Sequence, residues 1–312
     1  MTKHGTDPKE AHEGRSMLEE IAECVAESGF EHEMRPEGLF VDSGDKGTLV
    51  TSETVDEETG DGGKIEEIIR VVAELSPSEK FYPRELLRLN SLCALGAVLD
   101  EEESKTLKIV SKFAVYEGAE DARSLYVHMA ASAAMLNVIS FFGGGIASRI
   151  SGSDSLWSET EFKAAADILS GTGLAAFGSP TGMSLEIPLS SDVWPDVPMQ
   201  RTSLLQFDTR EIHPNLGAGL FYKLELPMDF SELQLIDLSR ILNDLEFASF
   251  DGPPLIGGWA GIQSRGSLVH IGFWPNNMHW PGIVTNLSVW MIERNRWACS
   301  VINALSEAAN NG

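Results

Sequence analysis

The chain has 312 residues, 43% of them hydrophobic, and a mean hydropathy of -0.07, the composition of a soluble globular protein long enough for two cores. Its formal net charge is -24, and the first 121 residues hold 29 Asp and Glu against 13 Lys and Arg, so most of the excess lies in the amino-terminal half. A field of that sign repels phosphate backbones and anionic lipid, so neither nucleic acid nor a membrane surface is an expected partner, whereas a basic protein partner would be drawn in.

In chain order, residues 1–13 read as a disordered leader, and Met1 to Pro8 lacks the apolar stretch of a signal peptide. Cys24, Cys93 and Cys299 are few and far apart, which excludes a disulfide framework or a Cys-x-x-Cys metal knuckle and makes a cytoplasmic location the expectation. A first α+β unit is expected over 14–145. Met17, Leu18, Ile21, Cys24 and Val25 form one apolar stripe, which predicts a helix from Ser16 to Ser28 that stops at Gly29. Strands are predicted over His32–Val41 and Gly47–Val55, and a third over Ile65–Leu75, where β-branched residues crowd together. Pro83 opens a helix that runs to Leu92. Ala94–Leu99 and Lys105–Tyr116 follow as strands around the acidic turn Asp100–Ser104, and the alternation in the second predicts one packed and one mostly solvated face. Leu125 to Ser148 contains no Asp, Glu, Lys or Arg and is long enough to span a bilayer, but His128, Asn137 and the break at Gly143-Gly144-Gly145 point to a buried helix, Ala119–Phe142.

The Gly/Ser-rich stretch 146–155 is the predicted linker, and a second unit is expected over 156–309. It begins with a helix over Thr160–Leu169. Short strands are predicted at Leu174–Phe177, Met183–Leu189, Thr202–Phe207 and Gly217–Leu226. A helix capped by Asp229 or Ser231 runs to Leu245, strands Gly257–Ile262 and Ser267–Trp274 pair around Gln263–Gly266, and a long helix closes the chain.

No pattern of catalytic residues stands out. His270 and His279, with Asp251, invite a metal or acid-base reading, but their spacing of nine matches no zinc motif and strand alternation accounts for His270. His128 reads as a core histidine. The glycine clusters fail the P-loop and dinucleotide patterns, and no cofactor or metal is expected. Five of the seven tryptophans, Trp259, Trp274, Trp280, Trp290 and Trp297, lie in one carboxy-terminal stretch. Two readings stand side by side: a core between the last helix and its sheet, or a partner-binding groove formed by Trp259, Trp274, Asn276, Asn277, Trp280 and Trp290, with the tip Trp274–Asn277 exposed.

Leu-Asn-x-Leu occurs twice, as Leu89–Leu92 and Leu242–Leu245, each time closing a helix that is followed by two strands and a long apolar helix. Together with the turn Asp100–Glu103 and the strand Leu107–Val115, this order resembles the bacterial YbjN family, whose domains are similar to type III secretion chaperones and which is described as regulating sensory transduction. The second copy departs from that pattern in its non-acidic turn and its tryptophans. The resemblance implies two tandem chaperone-like units, each α-β-β-β-α-β-β-α with helices packed on an antiparallel sheet, forming an intramolecular pseudo-dimer that is monomeric or a homodimer. The function expected is non-enzymatic binding of a protein or peptide. The alternatives are a metal-dependent hydrolase using His270 and His279 with nearby carboxylates, and a self-associating structural protein built on the small-residue helix face Met129–Ala134.

Overall fold

The computed structural model describes residues 16–43, 46–58, 64–77, 89–90, 94–101, 106–118, 120–142, 156–189, 202–249 and 252–311. The expected leader, the linker 146–155, the acidic turn at Glu102–Ser104 and most of the helix from Pro83 lie outside these residues; Leu89 and Asn90 are helical. The class is α+β, with two antiparallel sheets.

The first unit runs α1 (Met17–Glu27), β1 (His32–Arg35), β2 (Gly38–Asp42), β3 (Gly47–Glu58), β4 (Lys64–Pro77), β5 (Ala97–Glu101), β6 (Thr106–Tyr116) and α2 (Glu120–Phe142). The second runs α3 (Glu159–Gly171), β7 (Ala175–Ser179), β8 (Gly182–Pro188), β9 (Thr202–Asp208), β10 (Ile212–His213), β11 (Gly217–Asp229), α4 (Glu232–Ala248), β12 (Gly258–Ile262), β13 (Ser267–Pro275) and α5 (Ile283–Asn311). The sheet orders are β1-β2-β3-β4-β6-β5 and β7-β8-β9-β11-β13-β12, with β10 paired to β11 outside that path. Strand for strand, one order repeats the other.

The correspondence reaches individual residues. Ala97 pairs with Val110 and Glu101 with Thr106, while Gly258 pairs with Ile271 and Ile262 with Ser267, so a constant shift of 161 positions carries β5 and β6 onto β12 and β13 in the same register. The first hairpins match as well. β1 and β2 turn at Pro36-Glu37, β7 and β8 at Pro180-Thr181, and each turn is followed by a glycine. A Cβ on Gly38 would lie 2.2 Å from the Val50 carbonyl oxygen and one on Gly182 would lie 1.9 Å from that of Phe207, and Val50 and Phe207 occupy equivalent sheet positions. No side chain fits either place, which explains why both units keep glycine there. This hairpin corrects the expected single strand His32–Val41: Pro36 has no N–H for a ladder and holds the φ that a turn needs.

Local signals set the helices. Ser16 caps α1 and Ser231 caps α4, each in a reciprocal box with Glu19 or Gln234 three residues on. Met17, Ile21 and Val25 of α1 turn into the core with Leu39, Val41 and Val50. α4 continues one turn past Leu-Asn-x-Leu to Ala248, so the repeated element lies inside that helix and does not close it. In α2 every side chain from Leu125 to Ser140 is buried except the half-buried His128. Within it, Ala122–Phe142 is long and apolar enough to cross a membrane, and 83% of its most apolar window is packed inside the fold. It lies on β2, β3, β4 and β6 and against α1, and the second unit brings Trp280 onto His128 with ring centroids 5.3 Å apart.

Candidate functional site

The two units meet at β5 and β12, the inner end strands of their sheets, and there the repeated Asn shows its use. An end strand leaves a row of N–H and C=O groups without a ladder partner, and a buried one must find substitutes. Val98 N–H of β5 donates to Asn90 Oδ1 at 2.7 Å, and Asn90 Nδ2 donates to the Val98 carbonyl at 3.5 Å. Trp259 N–H of β12 donates to Asn243 Oδ1 at 2.8 Å, and Asn243 Nδ2 donates to the Trp259 carbonyl at 3.1 Å. Val98 and Trp259 are equivalent positions. Both amides are buried, each acting as one residue of an absent neighbouring strand, with about 1–3 kcal/mol at stake for any group left unpaired.

Each unit also completes the other's backbone. Leu255 N–H donates to the Lys112 carbonyl at 2.8 Å and Phe273 N–H donates to the Ala94 carbonyl at 3.0 Å. The shift that turns Ala94 into Leu255 turns Lys112 into Phe273, so these contacts are exchanged by an internal two-fold relation. Helix ends are shared in the same way. Lys112 Nζ, fully buried, donates to the carbonyls of Glu246 and Ser249 at 2.6 and 2.7 Å and to Ser249 Oγ at 2.8 Å, capping the carboxyl end of α4 with positive charge. In return Asn215 Nδ2 donates to the Ser140 and Phe141 carbonyls at 2.7 and 3.3 Å, at the end of α2. Lys112 therefore overturns the expectation that one face of β6 is mostly solvated: from Ile109 to Val115 both faces are buried, because the second unit covers the face that carries Lys112.

A buried ionic group sits beside this joint. Arg294 Nε donates to Glu246 Oε1 at 2.6 Å and its terminal nitrogen to the Pro254 carbonyl at 2.6 Å, while Trp259 Nε1 donates to Glu246 Oε2 at 3.1 Å. Tyr222 Oη donates to the Ile256 carbonyl at 3.1 Å, and burial pushes its phenol well above the ordinary range. The first unit satisfies the equivalent carbonyl, that of Leu95, with Ser111 Oγ, which in turn accepts from Asn137 Nδ2 at 2.9 Å. Gly272 stands where Ser111 would be, and a Cβ there would come within 2.0 Å of Tyr222 Oη.

Among the described residues the predicted groove of tryptophans does not form. Trp259 and Trp274 are 0% exposed and Asn276 is 3% exposed, so these three belong to the core. The tip is held inward because Trp157 Nε1 donates to Asn276 Oδ1 at 2.8 Å and Trp274 Nε1 donates to the Met278 carbonyl at 2.5 Å. Trp280 and Trp290 are partly buried against the same core; the Asn277 side chain lies outside the described residues. The two histidines part company. His270 is fully buried with its ring edge-on to Trp259 at 5.3 Å and neither ring nitrogen hydrogen-bonded, and burial, then the charge of Arg294, holds it well below the usual imidazole range. His279 Nε2 meets Glu161 Oε2 at 2.9 Å and packs edge-on to Trp157. His128 is lowered by burial, an effect opposed by a backbone hydrogen bond with Met278. Among the described residues no three His, Cys, Asp or Glu side chains gather as metal ligands would.

An open concavity of about 390 Å3 lies on the outer face of the second sheet. Phe177 and Phe221 form its walls, and Ser184, Gln206 and Lys223, neighbours across three strands, form its floor. Phe177 is 70% exposed. Both cations at this surface are paired: Arg210 donates to both carboxylate oxygens of Asp208, pulling that carboxyl below its usual range, and Lys223 pairs with Glu225 at 2.9 Å, while Glu211 adds a further carboxylate to the rim. In the first unit the floor positions are Phe40, Leu49 and Val72, all apolar. Units that agree in register and turn chemistry thus differ on their outer faces. Neither Lys112 nor this surface was visible as a site in the sequence, since both depend on which residues the strand register brings together.

Comparison with known proteins returns no match to a family model, a curated protein or a solved structure.

Proposed function

We propose that the protein is a non-enzymatic protein-binding module, chaperone-like or regulatory, that works in the cytoplasm as an intramolecular pseudo-dimer. The observation that carries this reading is the concavity between Phe177 and Phe221, where an exposed aromatic ring borders a floor of hydrogen-bonding groups with paired cations. An aromatic anchor beside polar groups of fixed orientation suits recognition of a polypeptide segment, and Phe177 stands on β7, an end strand of its sheet. The duplication supports the same reading, because two units that share a scaffold but differ on their outer faces are suited to present different surfaces to a partner. The excess of carboxylates in the first unit would steer a basic partner toward the molecule. The resemblance to the YbjN family and its chaperone-like domains points the same way.

The test is site-directed crosslinking in cells. A photoreactive phenylalanine analogue at position 177 is expected to give a discrete protein adduct that an analogue at Leu233, 75% exposed on α4, does not give. The adduct should weaken in a Gln206→Ala, Lys223→Ala background. Equal, diffuse labelling from both positions would overturn the reading.

A further inference from the structure

Ala97 and Gly258 occupy equivalent positions in β5 and β12, and they touch each other across the joint. A Cβ on Gly258 would lie 3.2 Å from both Cα and Cβ of Ala97 and 2.6 Å from Asn90 Oδ1. Contact between equivalent positions is what residues beside a two-fold axis make, and in a true homodimer the two would be identical. Here one is alanine and the other must be glycine. A second departure from identity lies at Lys112, whose equivalent in the second unit is Phe273.

We infer that the joint is specific for one first unit and one second unit, and that it rejects pairs of like units. The inference is independent of what the outer face binds. In a pair of first units, the glycine position would be filled by Ala97, and its methyl would be driven to within 2.6 Å of Asn90 Oδ1. That oxygen cannot retreat without releasing the Val98 N–H that it holds at 2.7 Å. In a pair of second units, Phe273 would stand where Lys112 stands, and the carbonyls of Glu246 and Ser249 would face a benzyl ring in place of an ammonium group. Each like pair therefore contains a repulsive or unsatisfied contact that the mixed pair lacks, which is how an interface derived from a symmetric one becomes selective. The consequence for the whole molecule is that the inner strand edges are committed within one chain, which directs further association to the outer edges and faces.

The experiment uses the full chain with a protease site placed between Ile146 and Ser155, cut after folding. Native mass spectrometry is expected to find the two fragments together as one complex of each. Two preparations, one isotopically heavy, are then cut, mixed, taken through mild denaturant and returned to buffer. Mixed-isotope complexes are expected to contain one first and one second fragment only. Ala97→Gly, which removes the obstructing methyl, is expected to make first–first pairs appear, whereas Gly171→Ala, where an added methyl meets nothing within 4 Å, should leave pairing unchanged. Fragments that separate on cutting would overturn the inference. So would like pairs at statistical abundance in the parent protein, or a first–first population that Ala97→Gly does not raise.

Discussion

Lys112 reaches from the first sheet to the carbonyl oxygen of Glu246, 2.6 Å away, at the end of a helix that belongs to the second unit. The side chain of Glu246 is at the same time the acceptor for Arg294 and for the Trp259 indole, so one residue gathers a strand from each unit and two helices of the second. Lys112→Met keeps the length and apolar stem but leaves the carbonyls of Glu246 and Ser249 without their ammonium group. The loss expected is about 3 kcal/mol, the scale for removing one partner of a buried charged contact. Urea unfolding followed by tryptophan fluorescence would measure it, with both units still unfolding in one transition. A loss under about 0.5 kcal/mol, typical of surface positions, would contradict the buried cap.

The paired amides make a second, more local prediction. Asn243→Ala removes two hydrogen bonds and leaves the Trp259 N–H and C=O buried without partners, for an expected loss of about 2–3 kcal/mol. Asn243→Asp should fall between, since a carboxylate accepts from the Trp259 N–H but cannot donate to its carbonyl. Hydrogen exchange is the sharper readout. The Trp259 amide should lose protection in Asn243→Ala while the Val98 amide keeps it, and Asn90→Ala should show the reverse.

These two cases show what the sequence could and could not reveal. The cap at Ser231, one of two candidates with Asp229, the apolar stripe of α1 and the repeated Asn are local in the chain, and the charge-free run of α2 is equally plain; they were legible because helix and turn chemistry act over three or four residues. The role of that Asn was not legible: it bonds 8 residues ahead in one unit and 16 in the other, so only the folded chain equates the two. Lys112 misled because a lysine alternating with apolar neighbours reads as a solvated face, and its partners lie 134 and 137 positions away. The tip Trp274-Pro275-Asn276-Asn277 misled for a related reason: turn residues suggest exposure, but Trp157 and Met278 supply the hydrogen bonds that draw it inward. The matched Pro-x-Gly turns at Pro36 and Pro180 are a further local sign of duplication, written in three adjacent residues of each unit.

His270 stands where the first unit has Ile109, and its two ring nitrogens are buried without hydrogen bonds. Its pKa lies well below 6.5 in the fold because burial, and then Arg294, oppose the charged form. The unfolded chain therefore binds the proton first as pH falls, so stability is full above about 6.5 and declines below it, by about 1.4 kcal/mol per pH unit until the folded-state pKa is reached. His270→Ile is expected to stabilise the protein at pH 7.5 by about 1–2 kcal/mol, by removing an unsatisfied buried donor. The gain should be larger at pH 5. His128, also lowered by burial, will keep part of the acid sensitivity. Unfolding free energies of both proteins at the two pH values decide the matter, and a variant no more stable at pH 5 than at pH 7.5 relative to the parent would refute it.

The carbonyl that precedes each inner strand gives a final prediction, since the two units satisfy it by different means. Ser111 serves Leu95 beneath Asn137, and Tyr222 serves Ile256 through space that Gly272 leaves open. Val71 is the equivalent of Tyr222, so the small hydroxyl residue with valine in one unit answers to glycine with tyrosine in the other. Gly272→Ser alone should overpack the site, because its Cβ would sit 2.0 Å from Tyr222 Oη, and a loss of about 2–3 kcal/mol is expected. Tyr222→Val alone leaves a cavity and an unsatisfied carbonyl, with a loss of about 3–5 kcal/mol. The double variant recreates the first unit's solution, with the serine hydroxyl replacing the phenol as donor. It should be more stable than the sum of the two losses predicts by at least about 2 kcal/mol, a coupling within the range for residues in contact. Simple additivity in that double-mutant cycle would mean that the two positions do not serve the same carbonyl.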